Sequence, residues 1–86
     1  MTTVTVTGYL TDGMNYIGGE GSGWELQTDH AGNIELDVDK VVPQAMKFRH
    51  REVTVTGYFT TREYIERAPA EVLVAEEIRL APSQKN

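Results

Sequence analysis

Two segments of this chain, VTVTGYLT (4–11) and VTVTGYFT (53–60), are identical at seven of eight positions and lie 49 residues apart. Each alternates valine with threonine, and a period of two in β-branched residues fits a half-buried strand. Each also carries a glycine in step with its valines. A glycine inside a strand marks a bulge or a sharp bend, of the kind needed to curl round a small barrel. A duplicated domain would repeat the flanks too, and the flanks do not match. The echo reads as two strands with one job (inward valines, a glycine bend, an outward tyrosine) or as a functional pairing of Tyr9 with Tyr58.

The remaining segments extend the same pattern. Residues 2–11 set Val4, Val6, Gly8 and Leu10 against Thr5, Thr7, Tyr9 and Thr11. The glycine-rich stretch 12–23 is a loop. WELQT (24–28) alternates as a second strand, DHAGN (29–33) has the chemistry of a hairpin turn, and IELDVD (34–39) is a third strand. In that third strand Ile34, Leu36 and Val38 face inward, with Glu35, Asp37 and Asp39 outward. Val42 precedes proline and is pushed away from helical backbone, so Pro43 opens a short helix over 43–48. That helix sets Met46 or Phe48 against the rest of the domain. Residues 51–61 form the fourth strand and 62–71 a charged loop. Residues 71–80 form the fifth strand, with Val72, Val74, Ile78 and Leu80 in step. Glu76 then falls on the inward face, so a bulge near 75–77 or a barrel rim is expected there.

Eighty-six residues make one domain, over 1–81, with 82–86 as a disordered tail. Hydrophobic residues make up 40% and the net charge is −5, ordinary values for a folded chain. The absence of cysteine removes disulfide frameworks, thiolate nucleophiles and cysteine-based metal sites. No apolar run is long enough to span a bilayer as a helix, and the start lacks the pattern of a secretory signal, so a cytoplasmic location is expected. Charge is uneven: residues 1–43 carry seven acids against Lys40, near −6, and the second half is near +1. A partner drawn to the first half is basic, or a cation.

The order of strand, strand, strand, short helix, strand, strand resembles the OB-fold, an all-β five-stranded barrel with a short helix between strands 3 and 4. The resemblance covers residues 2–80 and is nearest to small stand-alone OB-like domains of bacteria, many without an assigned role. It rests on the glycine-bearing first strand, the second hairpin, the helix at 40–50 and the V-T-V-T-G start of the fourth strand. An SH3-like barrel is the alternative. The resemblance implies a face on strands two and three, with the 1–2 and 4–5 loops, that takes oligonucleotides or oligosaccharides.

The residues on that face argue otherwise. Glu25, Gln27, Glu35 and Asp37 repel phosphates, whereas nucleic-acid sites need Lys or Arg with stacking aromatics. A basic cluster, Lys47, Arg49, His50 and Arg51, follows the helix. It is either an anion grip or a solvated surface paired with acids such as Glu52. The acids Asp29, Glu35, Asp37 and Asp39 have the oxygens for Ca²⁺ or Mg²⁺, but a single strand spaces them about 7 Å apart. No cofactor or metal is expected. His30, His50, Ser22 and Ser83 show no nucleophile–base–orienter arrangement, so no catalysis is expected. Trp24 reads as core. The expected role is a non-catalytic binding module for a protein partner or a second copy. Its surface would involve Tyr9, Met14, Tyr16, Ile17 and Tyr58. The alternative is single-stranded nucleic-acid binding.

Overall fold

The structure, a computed structural model, describes residues 2–13, 22–65 and 68–82. Its elements are β1 (Val4–Asp12), β2 (Trp24–Gln27), β3 (Asn33–Asp37), α1 (Val42–Phe48), β4 (Glu52–Arg62) and β5 (Ala70–Leu80). The five strands form one closed sheet in the order β1-β2-β3-β5-β4, which returns to β1. All neighbours are antiparallel except β3 and β5, whose parallel pairing spans Glu35↔Val72 to Asp37↔Val74. Closure lets strand backbones satisfy one another within a chain too small for a second covering layer.

The two echoed segments are partners. They pair antiparallel as Val4↔Gly57, Thr5↔Thr56, Val6↔Val55, Thr7↔Thr54 and Gly8↔Val53. VTVTG therefore lies against VTVTG, valine facing valine at the centre and glycine facing valine at each end. Thr7 and Thr54 share a hydrogen bond between their hydroxyls at 3.1 Å. Tyr9 and Tyr58 flank this ladder at opposite ends, about 20 Å apart along the strands, so the repeat does not make a tyrosine pair.

The glycines have a shared steric cause. A Cβ at Gly8 would lie 2.6 Å from the carbonyl oxygen of Gln27, and one at Gly57 would lie 1.9 Å from that of Val74. At each echoed glycine a neighbouring strand crosses too close for any side chain. Next to Gly57 the register jumps: Thr56 faces Glu77 while Gly57 faces Ala75, which leaves Glu76 as the extra residue of a bulge.

That bulge corrects the expected face of β5. The regular alternation of Val72 and Val74 with Ile78 and Leu80 does not hold, because the extra residue changes the parity. Leu73, Ala75 and Ile78 join the core instead, with Leu10, Leu26, Leu36, Val38, Val41, Ala45, Val53 and Val55. Val72 and Val74 are also buried, outside that cluster. Helix α1 starts one residue before Pro43 and packs on β5. Its fully buried residue is Ala45, and Phe48 packs against the core. Met46 is 48% exposed. Trp24 also packs against the core from the start of β2.

Candidate functional site

Strand β1 divides its two edges unevenly. Residues 4–9 pair with β4, and residues 9–12 pair with β2. On the β2 side, residues 4–8 make no strand pair among the described residues, although the Gln27 carbonyl at the end of β2 lies close to Gly8. The peptide N–H of Leu10 donates to the Arg51 carbonyl at 3.0 Å, and the Leu10 carbonyl accepts from the His50 N–H at 2.7 Å. Strand alternation then aims the backbone groups of residues 4, 6 and 8 at β4 and those of Thr5 and Thr7 at the vacant side.

A cleft of about 340 Å³ runs along this edge, between Thr5, Val6, Thr7 and Gly8 on one wall and residues 27–31 on the other. The far wall is a braced turn. The Thr28 hydroxyl donates to the Gly32 carbonyl at 2.7 Å and accepts from the Ala31 N–H at 2.9 Å. His30 lies in this wall, exposed, and Glu52 lines the cleft beyond Gly8.

A second cleft, of about 390 Å³, is lined by Ser22, Trp24, Asp37, Val38, Asp39, Val42, Arg62 and Tyr64. Here the acidic row behaves differently from the solvated face that alternation suggested. Glu25, Glu35 and Asp37 are all buried. Glu35 Oε2 accepts from the Ser22 N–H at 3.0 Å and from the Tyr64 hydroxyl at 2.8 Å, tying the segment before β2 to the segment after β4. Asp37 forms an ion pair with Arg62 and accepts from the Asp39 N–H at 2.9 Å. Glu35 and Asp37 are therefore anchors for the segments around them, and Arg62 is already paired with one of them.

Burial opposes ionisation of Asp37. The Arg62 hydrogen bond, the Asp39 N–H and the charges of Arg62 and Lys40 outweigh it and hold the carboxyl below its ordinary value of 3.8. A depressed folded value means the contribution to stability is complete above that ordinary value and is lost as pH falls beneath it. The expected result for Asp37→Asn is lower stability at neutral pH, with the gap to the unsubstituted protein narrowing below about pH 4. Urea midpoints across that range check it, and a gap independent of pH would contradict the assignment.

Glu25 stands directly across the β2–β3 ladder from Glu35, and its Oε1 is buried with no hydrogen-bond partner among the described residues. Facing like charges and an unmet carboxylate oxygen both cost stability. Glu25→Gln is expected to stabilise the domain by about 1 kcal/mol, read from denaturant unfolding. A loss of stability would show that the carboxylate holds a cationic partner.

The basic cluster is partly neutralised by an acid distant in sequence. Arg49 Nη1 and His50 Nε2 each lie 3.2 Å from a different oxygen of Asp12, at the end of β1. Desolvation works against ionisation of Asp12, and Arg49 and His50 together outweigh it, so its carboxyl too sits below the ordinary value. Lys47 lies 5.3 Å from the centre of the Phe48 ring, and Arg51 is exposed. His50 adopts φ 63°, a backbone turn that brings its N–H to Leu10 and its ring to Asp12.

Of the candidate surface residues, the two that are described, Tyr9 and Tyr58, lie apart. Tyr9 is 37% exposed beside the edge cleft. Tyr58 is covered by Lys40, whose Nζ donates to its hydroxyl at 3.1 Å. Met14, Tyr16 and Ile17 lie outside the described residues, as do Ser83 and most of the 82–86 tail. Among the described residues no group of three or more His, Asp or Glu is placed to hold a metal ion, and no helix is long and apolar enough to cross a membrane. Sequence reading missed the open edge of β1, because nothing in a strand's residues says where its neighbour stops.

No protein-family model, curated protein or solved structure matches the chain.

Proposed function

We propose that this is a non-catalytic binding module of the OB type, and that it recognises a protein by receiving an extended strand at the open edge of β1. The observation that carries this reading is the one-sided pairing of residues 4–8 beside a cleft. An edge that presents unpaired N–H and C=O groups is a template for another strand, and monomeric proteins usually guard such edges with charges, proline or a bulge. Residues 2–8, TTVTVTG, contain no charge and no proline. The OB assignment is supported by the sheet order, the parallel β3–β5 pair and the helix between β3 and β4.

Single-stranded nucleic acid is the weaker reading. The acids of β2 and β3 line the face it would use, Arg62 is paired with Asp37, and Arg49 and His50 are paired with Asp12. Fluorescence anisotropy at low salt separates the two. A labelled, blocked peptide of alternating valine and threonine is expected to raise the signal saturably, and a labelled single-stranded oligonucleotide is expected to leave it flat. The reverse pattern would transfer the function to nucleic acid and the working surface to Lys47–Arg51.

A further inference from the structure

We propose that the strand received at this edge is β1 of a second copy of the chain, antiparallel and centred on Val6. This rests on the strand-recognition reading above and names its partner. Two copies of residues 4–8 laid antiparallel about Val6 set Val4 against Gly8, Thr5 against Thr7, and Val6 against Val6. Residue type for residue type, that is the pairing β1 already makes with residues 53–57 of β4: valine to glycine, threonine to threonine, valine to valine. The molecule thus holds one instance of the proposed contact within itself, and the other edge of the same strand, unpaired over residues 4–8 among the described residues, offers the site for a second.

Geometry and charge agree with this occupant. β2 makes its last pair with β1 at Tyr9↔Gln27, so an incoming strand alongside residues 4–8 continues the line that β2 vacates. A chain with net charge −5 repels its own copies, yet the contact strand is neutral. Antiparallel symmetry also keeps like charges apart. Glu52, which lines the cleft beyond Gly8, comes near Val4 of the other copy, and the two Tyr9 positions stand about 20 Å apart along the joint. Two-fold pairing of one edge with itself is closed, so it gives a dimer and no fibre.

Sedimentation equilibrium of the full chain from micromolar to millimolar concentration tests the proposal. A reversible monomer–dimer equilibrium is expected. Thr5→Pro removes an N–H aimed at the cleft and leaves those aimed at β4 in place. It is expected to weaken the dimer at least tenfold without a matching fall in melting temperature. As a second arm, Thr5→Lys with Thr7→Lys and Thr5→Glu with Thr7→Glu are each expected to be monomeric, and their mixture to dimerise, since position 5 of one copy faces position 7 of the other. A wild-type protein that stays monomeric at millimolar concentration overturns the second copy as partner, while the peptide titration above decides separately whether the edge takes any strand. A dimer unaffected by both sets of substitutions also overturns it.

Discussion

Alanine in place of Gly57 is expected to destabilise the domain by about 3 kcal/mol or more, the upper end of what overpacking costs. In a domain of this size that lowers the melting temperature by roughly 12–24 °C. The clash is between backbone atoms: the new Cβ would meet the Val74 carbonyl oxygen at 1.9 Å and its carbon at 2.9 Å. A flexible side chain swings aside, but a carbonyl in the β4–β5 ladder moves only if its strand does. The bulge at Glu76 draws the strands together at this point, so relieving the clash means undoing the bulge and reversing the parity that brings Leu73 and Ala75 inward. Thermal unfolding followed by circular dichroism reads the effect. A variant melting within a few degrees of the unsubstituted protein would show that Val74 does not approach as described.

Leu73→Ala is the second large loss, about 3 kcal/mol within the usual 2–5 for a buried leucine. Leu73 is fully buried in a cluster with Leu10, Leu26, Leu36 and Val55. Its neighbours there belong to four other strands of a closed sheet, so the cavity cannot collapse without moving several backbones at once. The loss therefore includes most of the cavity cost as well as the transfer term. Urea unfolding measures it. A loss below about 1 kcal/mol would mean that β5 keeps one uninterrupted alternation, with Val72 and Val74 inward and Leu73 at the surface.

These two residues show where sequence reading reaches and where it stops. The strand order, the short helix after β3 and the need for glycine at each echoed position were legible, because period-two valines, a proline-led break and in-step glycines are local signals, although what the glycines answer to is a close neighbouring strand. A bulge near 75–77 was legible too, from Glu76 falling on an apolar face. Its consequence for Leu73 was not, since parity before a bulge depends on which residue is extra, and that is set by Gly57 on another strand. The acids at 25, 35 and 37 looked solvated for the same reason. Glu35 is held by Ser22 and Tyr64 and Asp37 by Arg62, residues brought in from before β2 and from the end of β4 and just beyond it. Asp12 is likewise joined to Arg49 and His50 across 37 and 38 residues. Of the candidate site, the neutral character of residues 2–8 was visible in the sequence, but their open edge was not.

The measurement closest to the central claim is amide hydrogen exchange, resolved by residue, on dilute protein with and without the valine–threonine peptide. Free protein is expected to exchange Thr5 and Thr7 quickly while Val6 and Gly8, bonded toward β4, exchange slowly. Peptide is expected to slow Thr5 and Thr7 selectively. Protection of Thr5 and Thr7 in the free dilute protein would mean the edge is already covered by the chain itself. Fast exchange at both residues under saturating peptide would mean that the edge of β1 receives no strand.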